Sequence, residues 1–196
     1  MKKTLLFTSI FLSLIIISSV LSPCIKMSED ISEKVFRLHI LANSDEDYDQ
    51  NLKLKVRDEI LKLSEDIYKN CSSVDDAIEI ANSNLNRFKD TAKSVIKANG
   101  YSYDVKVFTA KEYFNTRHYN GFTLPAGIYN SLKIEIGEAK GHNWWCVMFP
   151  SVCISGCVSD FEDTLSNDEI EMIKSDKYII RFKTVEIIEK IKNIIN

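Results

Sequence analysis

The chain has 196 residues, of which 45% are hydrophobic and 27% are charged. This composition is enough for one folded domain with a real core, and it excludes wholesale disorder. The formal net charge is −3 and no basic stripe runs along the sequence, which excludes the electrostatic footprint of a nucleic-acid-binding protein.

The N-terminus has the pattern of an export segment. Lys2 and Lys3 precede an apolar run from Leu5 to Leu21 that contains no charged residue. This pattern is typical of a secretory signal or of a single uncleaved membrane anchor. We therefore expect residues 1–24 to be a signal peptide or membrane anchor, which contacts the membrane if it is not cleaved. Residues 25–196 should form an exported domain whose core is residues 35–157.

The first half of this domain predicts a strand and two helices. Residues 35–41 are mostly apolar and predict a buried strand that ends in a polar turn, with His39 as a core histidine. Apolar residues at helical spacing predict a helix over residues 49–69, and the acidic residues before it favour its N-terminus. A second helix should begin after an N-cap at Ser73 and continue to Ala98.

The second half predicts a sheet with one long loop. Residues 103–109 alternate between apolar and polar and predict a strand, and an ordered loop should follow over residues 111–127. Residues 132–136 alternate in the same way, and residues 144–149 read as an interior strand. The simplest interpretation of the last two strands is a β-hairpin with a long loop at residues 137–143. Alternate residues of the last strand face opposite sides of the sheet. Either the alternate set that includes Trp145 or the one that includes Trp144 should face the core, and the residues of the other set then need a cover.

The C-terminal part predicts shorter elements. Ser166 and Glu169 form a capping-box pattern ahead of a short helix. Residues 178–182 predict a strand, and Thr184 should open a last helix. The fold class is therefore α+β: a single mixed or antiparallel sheet with amphipathic helices packed on one side, preceded by the N-terminal signal or anchor segment.

The sequence contains five cysteines, and outside the membrane a disulfide can persist. Cys146, Cys153 and Cys157 are the disulfide candidates, and their pairing stays open. Their spacing with His142 fits no common zinc pattern. Asp45, Asp47 and Asp49 resemble the start of a calcium loop but lack its glycine and its bidentate glutamate. We expect no metal and no cofactor.

The sequence shows no catalytic motif. It contains no Gly-rich phosphate loop, no serine elbow and no HExxH helix. An exported binding or signalling module without catalytic residues is therefore the leading hypothesis. The alternative is a cell-envelope enzyme with a Cys/His site around His142 and Cys146.

Two segments resemble the stage II sporulation protein R family. The first is Phe36-Arg37-Leu38-His39-Ile40-Leu41-Ala42-Asn43-Ser44-Asp45, followed by Leu52-Lys53-Leu54-Lys55-Val56-Arg57-Asp58. The second comprises Leu124-Pro125-Ala126-Gly127-Ile128-Tyr129 and Gly141-His142-Asn143-Trp144-Trp145-Cys146-Val147-Met148-Phe149-Pro150. Ala139 and Ser151 depart from the glycine and the proline that the family pattern has there.

The resemblance implies a role in endospore formation. Proteins of this family are made in the forespore and exported into the space between the two septal membranes. There they trigger a membrane-embedded aspartic protease of the mother cell, stage II sporulation protein GA, which processes the precursor of sigma E. The resemblance also implies that the chain is not an enzyme.

We expect the partner-binding surface to lie at one end of the sheet. The turn after the first strand and the loop before the tryptophans should meet there. The candidate partner-binding residues are Asn43, Ser44, Asp45, His142, Asn143 and Trp144. The alternative, purely structural roles are helix capping for the Asn43 turn and hydrogen bonding within the loop for His142 and Asn143.

Overall fold

The computed structural model describes residues 2–119, 121–150, 161, 164–175 and 186–187. In this part of the chain, four strands form a mixed sheet and two form a small antiparallel sheet. The strands are β1 (Phe36–Leu41), β2 (Val105–Phe114), β3 (Arg117–Tyr119), β4 (Phe122–Leu124), β5 (Gly127–Ile136) and β6 (Asn143–Phe149). The described helices are α1 (Lys2–Glu33), α2 (Asp47–Ile67), α3 (Val74–Ser83), α4 (Leu85–Ala98) and α5 (Asn167–Lys174).

The four-stranded sheet has the order β2-β5-β1-β6. β1 is parallel to β5 and antiparallel to β6, so the prediction of an α+β fold with a mixed sheet is confirmed. The predicted β-hairpin is wrong, because β1 lies between β5 and β6 and Leu38 is opposite both Leu132 and Cys146. Its long connecting loop is needed to cross one intervening strand, a distance of about 10 Å.

The first face of the sheet packs against α2, α3 and α4. Alternate β1 residues, Phe36, Leu38 and Ile40, are fully buried there. The helices contribute apolar residues at helical spacing, namely Leu52, Val56, Ile60, Ala77, Ala81, Phe88, Ala92 and Ile96. Burying these side chains is the main apolar contribution to the stability of this face.

The second face is also covered, by a separate cluster. Cys24 and Ile31 of α1, Leu124 of β4 and Met172 of α5 pack there with strand residues such as Tyr129. The expectation that helices pack on one side only is therefore wrong, and so is that of a single sheet. The apolar character of β6 on both faces required this second cover, because Met148 lies in the first cluster and Val147 in the second.

α1 is continuous from Lys2 to Glu33 and includes Pro23. Phe7 and Phe11 near its start are exposed, whereas Cys24 and Ile31 are buried. The expected boundary at residue 24 therefore falls inside a helix whose last turns belong to the core. Among the described residues, no helix has both the length and the apolar character needed to cross a membrane.

The two predicted middle helices differ in outcome. The predicted helix over residues 49–69 is confirmed as α2. The helix predicted from Ser73 to Ala98 begins as expected, with the Ser73 side chain accepting a bond from the Asp76 N–H, but it breaks at Asn84 into α3 and α4. The Asn84 side chain donates to the Ile80 carbonyl at 2.8 Å. Such local bonds compete with helix continuation.

The remaining predictions concern the second half. β2 continues to Phe114, and the predicted loop at 111–127 contains the β3–β4 pair, because tertiary pairing extended these strands. The capping box of Ser166 and Glu169 at the start of α5 is confirmed. The predicted strand at 178–182 lies outside the described residues, and so does the last helix from Thr184 except for residues 186–187.

Candidate functional site

Two loops meet at one end of the four-stranded sheet. Residues 42–46 follow β1, and residues 137–142 connect β5 to β6. Because β1 and β5 are parallel and β6 is antiparallel to them, both loops lie at the same end. The N–H of Lys140 donates to the Asn43 carbonyl at 3.2 Å, and the N–H of Gly141 donates to the Ala42 carbonyl at 3.0 Å. We call residues 42–46 and 137–142 together the loop pair.

Asn43 joins the two loops through its side chain. Its Oδ1 accepts a bond from the N–H of Glu138 at 2.9 Å, and its Nδ2 donates to Asp49 at 2.8 Å. The Ser44 hydroxyl donates to the same buried carboxylate at 2.7 Å. The N-cap of α2 is Glu46, so Asn43 does not cap that helix. Asn43 and Ser44 therefore fix the loop pair to the first turn of α2.

Two glycines permit this close approach. A Cβ on Gly141 would lie 2.1 Å from the carbonyl oxygen of Ser44, and one on Gly137 would lie 2.2 Å from Oδ1 of Asn43. Both distances are shorter than any van der Waals contact. Gly137 also has φ of 59°, a region that favours glycine. Any larger residue at either position would push the two loops apart.

Ala139 lies in the same loop with φ of 52°. This left-handed conformation is costly for a residue with a Cβ. It is the position at which the sequence departs from the glycine of the family pattern. Ala139 is therefore held in a backbone conformation that a glycine would adopt with less strain.

The exposed part of the loop pair carries a contact between a histidine and a carboxylate. The backbone N–H of His142 donates to Asp45 at 2.6 Å, and Nδ1 of His142 contacts the same carboxylate oxygen. Behind them, Lys53 donates to the carbonyl of His142 at 2.8 Å. Burial lowers the pKa of Lys53, and the nearby Asp45 carboxylate partly offsets this effect while Arg57 adds to it. Asp45 and His142 are thus held in place while their side chains stay exposed to solvent.

Asn143 is bound to a buried histidine. Nε2 of His39 lies 2.8 Å from Oδ1 of Asn143, and its Nδ1 lies 2.9 Å from Oε1 of Glu112. The Ser131 hydroxyl donates to the same Glu112 oxygen at 2.6 Å. Each ring nitrogen of His39 thus lies within hydrogen-bonding distance of a side-chain oxygen. We call His39, Glu112 and Asn143 the histidine network.

Glu112 is the anion of this network. Burial favours its neutral form, but hydrogen bonds from His39 and Ser131 and the charges of His39 and Lys133 outweigh burial and lower its pKa to about 2. Lys133 lies 3.3 Å from the other carboxylate oxygen. The carboxylate is therefore ionised at neutral pH and holds the His39 ring through Nδ1.

The two tryptophans face opposite sides of the sheet, and each is covered by an arginine. The guanidinium of Arg57 lies 4.3 Å from the ring of Trp144, and that of Arg117 lies 4.0 Å from the ring of Trp145. Trp144 packs against the first cluster and Trp145 against the second. Each of the two alternate sets of β6 therefore has a cover within this chain.

Cys146 is disulfide-bonded, and it is buried in the first cluster. Its partner lies outside the described residues, as do Cys153 and Cys157, so the pairing stays a prediction. A disulfide sulfur has no thiolate to act as a nucleophile, and His142 is engaged with Asp45. Among the described residues, no group of His, Cys, Asp and Glu side chains is arranged to hold a metal ion.

The structure brings together five of the six candidate residues. Asn43, Ser44, Asp45 and His142 meet in the loop pair, and Asn143 follows directly at the start of β6. Trp144 lies beside them but packs against Arg57 on the first face. Glu112 was missed, because nothing in the sequence indicates that β2 and β6 place it at the same histidine.

Comparisons with known proteins point to a family whose match covers the four-stranded sheet and the loop pair. The model of the stage II sporulation protein R family matches residues 32–159, which include β1 and the loop pair. The chain belongs to the stage II sporulation protein R family. A relative in Bacillus subtilis (strain 168), named stage II sporulation protein R, is 34% identical over 161 residues, which cover 82% of this chain and 68% of the relative. No solved structure matches the chain.

Proposed function

We propose that the chain is an exported signal of endospore formation that activates a membrane-embedded protease in the neighbouring cell. It would be made in the forespore and act in the space between the septal membranes. Its target would be the sigma E-processing aspartic protease, stage II sporulation protein GA. Membership of the family supports the role in sporulation, and the export pattern at the N-terminus supports the location.

The single observation that carries the proposal is the joining of the two family signatures at one end of the sheet. Asn43 of the first signature accepts from Glu138 and Lys140 of the loop that leads into the second. Loops on a rigid scaffold commonly carry binding residues. Asp45 and His142 remain exposed on top of this rigid base, as a preorganised binding surface requires.

The histidine network supports a specific role for Asn143. Its Oδ1 lies 2.8 Å from Nε2 of His39, so the amide nitrogen remains to donate to a partner. His39 is itself held by Glu112 from the opposite side. Three residues on three different strands thus fix the orientation of one exposed amide, which favours recognition over simple solvation.

Activation would then be a population shift. If the loop pair binds an active conformation of the protease more tightly than an inactive one, for example a dimer, it shifts the equilibrium toward activity. About a hundredfold difference in affinity would supply about 2.7 kcal/mol, enough to raise a state that is about 1% populated to about half. This mechanism needs no catalytic group in the chain.

The test is sigma-factor precursor processing in a non-sporulating host that expresses the protease, the precursor and this chain. We expect processing only when the chain carries its N-terminal segment. Expression without the chain and with a leaderless chain are the controls. If a folded and exported chain gave no processing, the proposal would be wrong.

Two variants separate recognition from folding. His142→Ala and Asn143→Ala should reduce processing at least fivefold while leaving the thermal midpoint within a few degrees, because both side chains are exposed. His118→Ala is the matched control, since His118 is an exposed histidine on β3, outside the loop pair, and bonds Thr123. Loss of processing in proportion to the loss of folded protein would assign His142 and Asn143 to structure instead.

A further inference from the structure

Three tyrosines form a stacked ladder near the loop pair. The rings of Tyr48 and Tyr101 are 6.2 Å apart with an angle of 11° between their planes, and those of Tyr101 and Tyr103 are 5.4 Å apart with an angle of 15°. Tyr101 and Tyr103 pack against the first cluster. Within the described residues Tyr48 has one ring contact, with Tyr101, and it is 51% exposed. We call these three residues the tyrosine ladder.

The ladder lies at the same end of the sheet as the loop pair. Tyr48 is in the first turn of α2, directly after residues 42–46. Tyr103 is followed by Asp104, whose carbonyl accepts a bond from the N–H of Gly137 at 2.9 Å. The ladder and the loop pair therefore form one continuous surface that a single partner can cover.

The charge beside the open tyrosine is negative. Glu46 and Asp47 flank Tyr48 on its N-terminal side and are exposed. Asp104, Glu138 and Asp45 each have a basic partner at this end, whereas neither Glu46 nor Asp47 forms an ion pair among the described residues. The N-terminus of α2 contributes the equivalent of only about +0.5 charge, which two carboxylates outweigh. A partner that covers this surface must bring positive charge.

Among the described residues, arginine makes the closest contacts with aromatic faces, whereas the Lys133 ammonium lies 5.9 Å from the ring of Phe108. Arg57 stacks on Trp144 and Arg117 on Trp145, each with its guanidinium carbon within 4.3 Å of the ring centroid. Arginine combines stacking with bidentate pairing to carboxylates, which a lysine ammonium does not do. A face of tyrosine next to two carboxylates that form no ion pair within the described part of the chain meets both requirements.

We propose that the tyrosine ladder binds an arginine side chain of the partner protein. The guanidinium stacks on the open face of Tyr48 and pairs with the carboxylate of Glu46 or Asp47. This inference rests on the proposed function and extends it, because it names a second contact beside the loop pair. It also identifies the partner chemistry as an arginine-bearing exposed segment.

The test measures binding of the purified full-length chain to the detergent-solubilised protease, together with processing in the co-expression host. Tyr48→Ala should weaken binding about tenfold, the effect of one desolvated cation–π contact. Tyr48→Phe keeps the ring and should stay within about twofold of the unaltered chain. Replacing both carboxylates, Glu46→Gln with Asp47→Asn, should weaken binding about fivefold and reduce its dependence on salt.

Phe108→Ala is the matched control, because Phe108 is also an exposed aromatic residue but lies within β2. It should bind as the unaltered chain does. Circular dichroism and the thermal midpoint should show that all variants fold, since Tyr48, Glu46 and Asp47 are exposed.

The outcomes separate this inference from the proposed function. If the unaltered chain activates processing and Tyr48→Ala binds normally, the ladder is not a binding site and the proposed function stands. Equal losses of binding in Tyr48→Ala and Tyr48→Phe would show that the partner contacts the hydroxyl group and does not stack on the ring. Unchanged binding of the carboxylate variant would show that the partner is apolar at this point. Either result overturns the arginine contact. If the unaltered chain neither binds nor activates, both proposals are wrong.

Discussion

The two faces of the central sheet are built from different chemistry on the same strand. On the first face, β1 contributes Phe36, Leu38 and Ile40, all fully buried among apolar side chains. On the second face it contributes Arg37, which is fully buried, and His39, which is 7% exposed. Arg37 is held by aromatic rings, with its guanidinium carbon 4.1 Å from the ring of Phe114.

This difference separates stability from positioning. Apolar burial on the first face supplies free energy without directional demands. The second face buries charges, which is costly unless each is paired, so it contributes less to stability than the first face does and more to geometry. In this chain, the polar contacts of the second face position Asn143, which lies next to the loop pair. We expect substitutions on the first face to affect folding and those on the second face to affect signalling.

The largest effect on stability should come from the first face. Leu38→Ala should lower the free energy of unfolding by about 3 kcal/mol, because it leaves a cavity between β1 and the helices. Urea denaturation measures this loss, and processing should decline only in proportion to the loss of folded chain. A change below about 1 kcal/mol would contradict the assignment of this face as the main core.

An intermediate effect should come from Glu112, and it should depend on pH. The pKa of Glu112 is lowered in the folded chain to about 2, so its contribution is complete above its unfolded pKa and is lost as the pH falls toward 2. Glu112→Gln should therefore cost about 2 kcal/mol at pH 7 and almost nothing at pH 2.

Urea denaturation of both chains at pH 7, 5 and 3 tests the sign of this effect. The curves of stability against pH should converge toward acid. If the two curves stayed parallel, the histidine network would not lower the pKa of Glu112 in the folded chain. In the Glu112→Gln variant, processing should fall by more than the loss of folded chain explains, because Asn143 loses its fixed orientation.

The smallest effect on stability should come from Arg37→Met. The substitution removes the contacts of the guanidinium with the rings of Phe114 and Tyr129. Two of the guanidinium nitrogens have no hydrogen-bond partner in the described structure, so their removal also relieves a desolvation cost. We expect the free energy of unfolding to change by about 1 kcal/mol or less. A loss as large as that of Leu38→Ala would mean that both faces stabilise the fold equally and that the comparison fails.

Local patterns in the sequence were sufficient for the elements with a strong period or a clear cap. The stripe of α2, the cap at Ser73 and the capping box at Ser166 are decided within a few residues, so the sequence predicts them directly. The family signatures are also local strings, and they indicated the family before any fold was known. They placed Asn43 and His142 among the candidates for the same surface.

Pairing between distant strands was decided only by the tertiary structure. The sequence favoured a hairpin of β5 and β6 because they are neighbours in the chain, but β1 lies between them. The same long-range pairing places Glu112, His39 and Asn143 together across three strands. A residue's period shows which face it occupies, but not which residue of another strand lies opposite, because that depends on register. For this reason the sequence determined the elements and the candidate loops, and the tertiary structure decided the network that holds them.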